Sequence, residues 1–250
     1  MGRFGDALSA MQNNLNNALI QKAVAATVIG GAVGWFLWRD RDCAGQKRMS
    51  EEDFDDAVDL AADAFVDSPA YGWFGGESAW RKEQLKWLFS INFRQNNGDG
   101  CRLFRDEQGK AVCFFMLQRP PSMLSGLSSK WLLVLYFLPR YGLEAFGRVA
   151  KLAARLDELK HTALASAGVS EASCLTLERM VVHPSQQGKG LGRKHLGSAL
   201  AAEAHHLPVF LTTQEERNTN FYSKLGFKVM STQHVDGLGQ NWVMLRLPPS

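Results

Sequence analysis

The stretch that decides the fold is residues 181–193, which read Val-Val-His-Pro-Ser-Gln-Gln-Gly-Lys-Gly-Leu-Gly-Arg. An apolar run at residues 175–182 predicts a β-strand before it, and an Ala- and Leu-rich stretch at residues 192–206 predicts a helix after it. Glycines in such a loop leave backbone N–H groups open to an anion, and the N-terminus of the helix adds positive potential. The sequence therefore predicts a phosphate or pyrophosphate site, the alternative being a tight strand–helix turn without a ligand.

The glycine spacing distinguishes between known kinds of phosphate loop. A Walker loop needs Lys followed by Ser or Thr, but here Lys189 is followed by Gly190. A dinucleotide-binding loop needs the uneven spacing GxGxxG, whereas Gly188, Gly190 and Gly192 are evenly spaced. Both classes are excluded, and Lys189 and Arg193 remain as basic residues that add charge to the loop.

Two motifs resemble those of a known superfamily. The run Gln187–Gly192 resembles the Q/R-x-x-G-x-G/A loop of the GNAT acetyltransferases, which holds the pyrophosphate of acetyl-CoA. Residues Asn218–Phe227 read Asn-Thr-Asn-Phe-Tyr-Ser-Lys-Leu-Gly-Phe and are similar to the superfamily segment N-x-x-F-Y-x-x-x-G-F. The resemblance implies acetyl-CoA as the cofactor. The residues implied to bind it are Met180, Val181, Val182, Gln187, Gly188, Lys189, Gly190, Leu191, Gly192, Arg193 and Asn218.

Further segments are similar to the puromycin N-acetyltransferase-like branch of that superfamily. They are Ala64–Pro69, Leu211–Gln214 and Asn241–Met244, so the similarity extends over about residues 50–250. One departure is clear, because that branch carries the aromatic run H-W-Y-L where this chain has Cys174–Leu177. Puromycin-like substrates are therefore not implied.

The resemblance also suggests catalytic residues for acetyl transfer to an amine. Tyr222 resembles the tyrosine that protonates the departing CoA thiolate, the alternative being a packing role under the sheet. The usual register of the superfamily's central glutamate falls on Thr176, and Glu178 lies two residues on, on the same strand face. We take Glu178 as the candidate base, the alternative being an ion pair with a nearby Arg or Lys. Backbone N–H groups at Met180 or Val182 would polarise the thioester carbonyl.

Composition excludes several other classes of protein. The chain has 250 residues, 46% hydrophobic and 21% charged, which suits a folded globular protein rather than a disordered one. Its net charge of +3 is too small to indicate a nucleic-acid partner. The 4 cysteines are scattered, with no CxxC, so we expect reduced thiols and neither a metal site nor a redox dithiol.

The element pattern predicts an α/β (α+β) domain, and the resemblance implies the GNAT fold, with a mixed central sheet flanked by helices. Ser50 is the expected N-cap of the first helix, and Pro139 is expected to stop an apolar segment at residues 131–138. The predicted helices are 50–65, 78–93, 144–161, 192–206 and 218–225. The predicted strands are 101–105, 111–118, 175–182, 209–213, 227–233 and 242–247.

The first 48 residues are a tail of different character. Residues 18–38 are apolar apart from Gln21 and Lys22, and as a helix they would be about 30 Å long, enough to cross a bilayer. Gly30 and Gly34 have the GxxxG spacing that brings two membrane helices close together. We expect a single-pass anchor, the alternatives being a buried helix or a targeting sequence. Basic residues after the segment place the following domain on the cytosolic, matrix or stromal side.

These observations predict two domains and leave two functions open. Residues 1–48 are the tail with its anchor, and residues 49–250 are the GNAT domain, with a helical insert at 122–170. The first function is an acetyl-CoA-dependent N-acetyltransferase tethered to a membrane, its amine acceptor unidentified. The alternative is a GNAT-derived accessory or structural subunit of an organellar membrane complex, respiratory or photosynthetic, with or without bound CoA. Either function implies a membrane-protein partner.

Overall fold

A computed structural model of the chain describes residues 49–68, 71–72, 77–95, 100–119 and 123–249. The helices are α1 (Glu51–Phe65), α2 (Ser78–Gln95), α3 (Met123–Ser166), α4 (Leu191–Glu203) and α5 (Glu216–Ser223). The strands are β1 (Cys101–Arg105), β2 (Ala111–Gln118), β3 (Leu175–Val182), β4 (Val209–Thr213), β5 (Lys228–Val235) and β6 (Gly239–Arg246). The predicted anchor at residues 18–38 lies outside the described residues.

The strands form one mixed sheet in the order β1-β2-β3-β4-β6-β5. Only β3 and β4 are parallel among these neighbours, and the other pairs are antiparallel. The parallel pair joins Leu175 to Val209 and Thr176 to Phe210, and no later pair between these two strands occurs in the described chain. The sheet is therefore open at its centre beyond Thr176.

Apolar side chains cover both faces of the sheet because neighbouring strand residues point in opposite directions. On one face Leu177 and Leu211 pack with Leu196 of α4 and Tyr222 of α5. On the other face, Phe210 packs with the last turns of α3. Helices α1 and α2 cover that second face over β2, where the rings of Phe93 and Phe114 lie 4.7 Å apart between centroids. Each large side chain buried in this way contributes about 1.5–3 kcal/mol.

The predicted N-cap of α1 is confirmed. The Asp53 N–H donates to Ser50 Oγ at 3.1 Å, and the Ser50 N–H donates to Asp53 Oδ2 at 3.4 Å, which completes a capping box. Arg105 at the end of β1 donates to Asp53 Oδ1 at 2.8 Å. The start of α1 is thereby joined to the first hairpin of the sheet.

The prediction that Pro139 ends a segment is wrong. Helix α3 continues through Pro139 and is broken at Gly142, which has φ 78° and ψ 175°. A proline removes one hydrogen bond, but only a glycine adopts this backbone conformation readily. By internal contacts the described chain divides into residues 127–147 and the remainder. Within the described residues, no helix is long and apolar enough to cross a membrane.

Candidate active site

A β-bulge in β3 shapes the open centre of the sheet. Phe114 pairs with Val181 and Met116 with Glu178, so two residues of β3, at 179 and 180, lie opposite one residue of β2. Arg179 accommodates the extra residue with φ 53°, and it is the one described residue other than glycine with a positive φ. A bulge bends its strand, and this one lies just beyond Thr176, where the pairing of β3 with β4 ends.

The end of this pairing leaves an edge of β3 without a partner strand. The N–H of His183, which follows β3 directly, donates to the Val112 carbonyl of β2 at 2.9 Å. Because successive N–H groups of a strand point to opposite edges, the N–H of Val182 points away from β2 and into the opening. This edge can accept an extended ligand with amide groups of its own.

The glycine loop follows at the end of this edge. Gly188 and Gly190 both have φ 78°, a left-handed conformation that other residues adopt at a cost. Gly190 is the N-cap of α4 and has no side chain to cap it, and the first helical bond runs from the Lys194 N–H to the Gly190 carbonyl at 3.0 Å. The free N–H groups of the first turn of α4 therefore face the loop.

Gly192 lies where there is no room for a side chain. It is buried, and a Cβ placed there would lie 3.0 Å from Met180 Cε, 3.1 Å from Val182 Cγ2 and 3.4 Å from Phe221 Cζ. The first turn of α4 thus packs directly against the end of β3 and against α5. The predicted binding residues Met180, Val182 and Gly192 are in contact range of one another.

Side chains of the loop hold its shape. Gln187 Nε2 donates to the Val182 carbonyl at 3.1 Å, and Lys189 Nζ donates to Gln186 Oε1 at 2.9 Å. Of the predicted binding residues, Gln187 and Lys189 therefore brace the loop in this structure, whereas the exposed Arg193 side chain remains directed to solvent. A shallow cavity of about 570 Å³ runs along α4. It is lined by Gly190, Arg193, Lys194, Gly197, Ser198 and Ala201.

The second sequence motif places Asn218 and Tyr222 on α5. Asn218 Nδ2 donates to Thr213 Oγ1 at 3.0 Å, which ties the first turn of α5 to the end of β4. Tyr222 is 8% exposed, with its ring 5.7 Å from the ring of Phe227. Burial raises the pKa of Tyr222, so its hydroxyl keeps its proton at neutral pH. That hydroxyl forms no hydrogen bond with any described residue.

Glu178 and Tyr222 do not lie on the same face of the sheet. The neighbours of the bulge, Leu177 and Met180, pack on the face of α4 and α5. Arg179 lies on the other face, its guanidinium carbon 5.7 Å from the Phe89 ring centroid. Glu178 is on that face too, because it pairs with Met116, one residue from Phe115 in the opposite core. The two predicted catalytic residues therefore lie on opposite faces of the sheet, near the opening between β3 and β4.

A buried tyrosine completes the surroundings of Glu178. Tyr71 is 8% exposed, and its ring stands edge-on to Phe89 at 5.5 Å. Burial raises the pKa of Tyr71, while the positive charge of Arg179 opposes that rise and the negative charge of Glu178 adds to it. Sequence reasoning missed both Tyr71 and Arg179. The one signal for Arg179 was a charged pair in an otherwise apolar strand.

Comparison with known proteins agrees with this geometry. Residues 152–229 match the model of the acetyltransferase (GNAT) domain. Over 71 residues the chain is 34% identical to a peptidyl-lysine N-acetyltransferase of Escherichia coli, a match that covers 28% of this chain and 48% of that protein. The chain thus spans about half the length of this curated relative.

Solved structures extend the likeness to most of the chain. A Corynebacterium glutamicum protein, described as histone acetyltransferase HPA2 and related acetyltransferase, superposes with a TM-score of 0.55, 17% identity, and coverage of 82% of this chain and 96% of that one. Arylalkylamine N-acetyltransferase 2 of Aedes aegypti gives a TM-score of 0.52, 15% identity, and coverage of 81% and 98%. The chain has the GNAT fold. At these identities the superpositions establish the fold alone.

The site of this GNAT-fold domain fits the cofactor that the fold implies. No atom lies within 4 Å of a Cβ placed at Gly188 or Gly190, so the loop has open space where a pyrophosphate would lie. The uncapped first turn of α4 supplies N–H donors, and the free edge of β3 supplies amide partners for an extended chain. GNAT acetyltransferases use acetyl-CoA, which carries both a pyrophosphate and an extended arm with amide groups.

Proposed function

We propose that the GNAT domain is an acetyl-CoA-dependent N-acetyltransferase that transfers an acetyl group to an amine. The observation that supports this most directly is the unpaired edge of β3 leading into the uncapped N-terminus of α4. A folded domain that needed this region only for packing would gain stability by pairing the edge and capping the helix. The relatives named above are amine acetyltransferases, which agrees with the proposal.

In the proposed complex the pyrophosphate lies on the loop at residues 187–193. The extended arm of the cofactor runs along Met180–Val182, with Asn218 on the far side of the opening. When bound, the cofactor supplies the thioester. Arg193 and the α4 dipole offset the phosphate charge, and the Val182 N–H is directed toward the thioester carbonyl.

The proposed chemistry takes place at the opening between β3 and β4. A C–N bond forms between the acceptor amine and the acetyl carbon, while the C–S bond breaks. The proton that the amine loses goes to Glu178, through water if needed, and the departing sulfur receives the hydroxyl proton of Tyr222. Because these side chains lie on opposite faces of the sheet, the amine approaches from the α1–α2 side and the thiol departs on the α5 side.

The test is calorimetry of acetyl-CoA binding to the full chain and to two matched variants. Gly190→Asp places a carboxylate where the pyrophosphate would lie, and repulsion at that distance should weaken binding about 100-fold or more. Gly109→Asp is the control, because Gly109 has φ 81°, no atom within 4 Å of a Cβ, and a place in the β1–β2 turn. Backbone strain and added charge are then the same in both variants.

The outcomes test the cofactor site on which the proposed transferase depends. Selective loss of binding in Gly190→Asp supports the assigned cofactor site, and thiol release with an accepted amine would then support the transferase. An unchanged affinity in that variant overturns the assigned cofactor site. Failure of the wild-type chain to bind acetyl-CoA or CoA would favour the accessory-subunit alternative. The resemblance to the puromycin N-acetyltransferase-like branch stays a prediction, as does the identity of the acceptor.

We further propose that residues 18–38 anchor the chain in a membrane and pack there against a partner helix. The support is the sequence alone: its apolar length, the flanking Lys22 and Trp38, and the Gly30/Gly34 pair. The full-length chain should resist extraction by alkaline carbonate, and protease should reach the GNAT domain only from the positive-inside face. Release of the full-length chain into the soluble fraction would overturn the anchor.

A further inference from the structure

Arg179 combines several features that are unfavourable for folding. It adopts φ 53°, which costs free energy for a residue with a long side chain. Its side chain is partly buried, and its Nε atom is enclosed without a hydrogen-bond partner. A glycine would relieve the strain, and an apolar side chain would avoid the buried charge. The position therefore points to a role for the guanidinium outside folding.

The charge of Arg179 is not satisfied within the described residues. It forms neither a hydrogen bond nor an ion pair there, and the neighbouring Glu178 carboxylate lies beyond ion-pair distance. The guanidinium carbon lies over the Phe89 ring, 5.7 Å from the ring centroid. The two terminal nitrogens of the guanidinium form no hydrogen bond with a described residue. A pair of guanidinium N–H groups can bind a carboxylate through two parallel hydrogen bonds.

The bulge places Arg179 next to the predicted base. Because residues 179 and 180 share one partner on β2, the side chains of Glu178 and Arg179 both project onto the face of α1 and α2. The Glu178 carboxylate, which would take the proton of the amine, and the Arg179 guanidinium, which can bind an anion, thus lie side by side on the face from which the acceptor would enter. A small amine with a carboxylate a few bonds away matches both.

We propose that Arg179 binds a carboxylate of the acceptor, so that the substrates are amines that also carry a carboxylate, such as amino acids. This rests on the proposed acetyltransferase function. Arg179 sets specificity by holding the carboxylate end of the acceptor while its amine faces Glu178. An acceptor without the anion would leave the guanidinium buried and unpaired.

The experiment compares matched acceptors with the full chain. Glycine, alanine, leucine and phenylalanine are each assayed beside the corresponding α-amide, with thiol release as the readout. We expect kcat/KM to be about 10- to 100-fold higher for the acids. Since the amide's amine is less basic and more of it is neutral, intrinsic reactivity favours the amides, and a preference for acids must come from the site.

Two variants identify the residue responsible. In Arg179→Gln the acid-to-amide ratio of kcat/KM should fall to one or below, chiefly through a higher KM for the acids, and Arg179→Lys should retain part of the preference for acids. Arg155→Gln is the control, because Arg155 pairs with Glu158 and Gln233 on α3 and β5, away from the bulge. It should keep the wild-type ratio.

Acetyl-CoA binding, measured first, separates the possible failures. If the wild-type chain does not bind it, the proposed function fails and this inference fails with it. If it binds but accepts none of the acids, or accepts the amides equally well, the assigned substrate class is overturned while the cofactor site stands. A parallel loss of acids and amides in Arg179→Gln would show that Arg179 serves the fold instead.

Discussion

Glycines of the binding loop are needed for two separate physical reasons. Gly188 and Gly190 adopt a left-handed backbone in open space, whereas Gly192 has ordinary helical geometry but no room for a side chain. A side chain at Gly190 would change ligand binding, whereas a side chain at Gly192 would first change the stability of the fold. The two kinds of glycine can therefore be separated by measuring binding and stability independently.

Gly192→Ala should lower the free energy of unfolding by about 1–3 kcal/mol, because the new methyl group must displace Met180 or Val182. The matched change is Gly197→Ala in the same helix, where a Cβ would meet Leu225 Cδ2 at an ordinary 3.5 Å. That variant should gain about 0.5–1 kcal/mol from reduced backbone entropy. Denaturant unfolding measures both, and equal shifts in the two variants would contradict the close packing at Gly192.

Tyr222→Phe tests the proposed acid. The change removes one hydroxyl that has no partner among the described residues, so packing and acetyl-CoA affinity should hardly change. Loss of the proton donor should lower kcat about 100-fold. Steady-state kinetics with an accepted amine give the result, and calorimetry shows whether the cofactor still binds. A variant with wild-type kcat would assign Tyr222 to packing, the alternative that its position in the core also allows.

At the scale of elements, the start of α1 depends on a carboxylate. Hydrogen bonds from Arg105 and from Ser50 hold the pKa of Asp53 below its ordinary value. A lowered folded-state pKa means that the stabilisation is present above the ordinary carboxyl pKa and is lost as the pH falls through the lowered value. Asp53 thus contributes at neutral pH and ceases to contribute in acid.

Asp53→Asn should therefore destabilise the chain at pH 7 and have little effect near pH 2. Glu107→Gln, in the exposed β1–β2 turn, is the charge-matched control and should change neither value much. Urea unfolding at the two pH values gives the comparison. A destabilisation of equal size at both pH values would mean that the carboxylate charge is not what holds the cap and Arg105 together.

Local signals in the sequence predicted most elements, while features that depend on strand pairing could not be predicted. The Ser50 cap, the β1–β2 hairpin and the loop before α4 follow from residue type and spacing. The bulge at Arg179 does not, because an arginine in an apolar run carries no sign of a left-handed backbone. The place of the break in α3 was also missed, since Pro139 gave the stronger signal than Gly142.

For the molecule as a whole, the resemblance of two motifs to those of the GNAT superfamily implied the fold and its mixed sheet. Two motifs separated by a strand and a helix were enough, because each fixes a place relative to β3 and β4. The division of Glu178 and Tyr222 between opposite faces needed the strand register and was not predicted. Tyr71 was missed because it comes near Glu178 only in the folded chain, and Arg179 was missed because the bulge that turns it to the face of Glu178 has no signal in the sequence.

The opening between β3 and β4 has a consequence for the chain before it binds anything. Sheets usually expose bare edges at their margins, where short strands and charges discourage other chains from adding on. Here a bare edge lies in the middle of the sheet, beside apolar Met180 and Val182. A ligand lying along it would shield the protein from aggregation by strand addition. We expect light scattering from the warmed protein to fall when CoA is present, because the bound ligand would cover this edge.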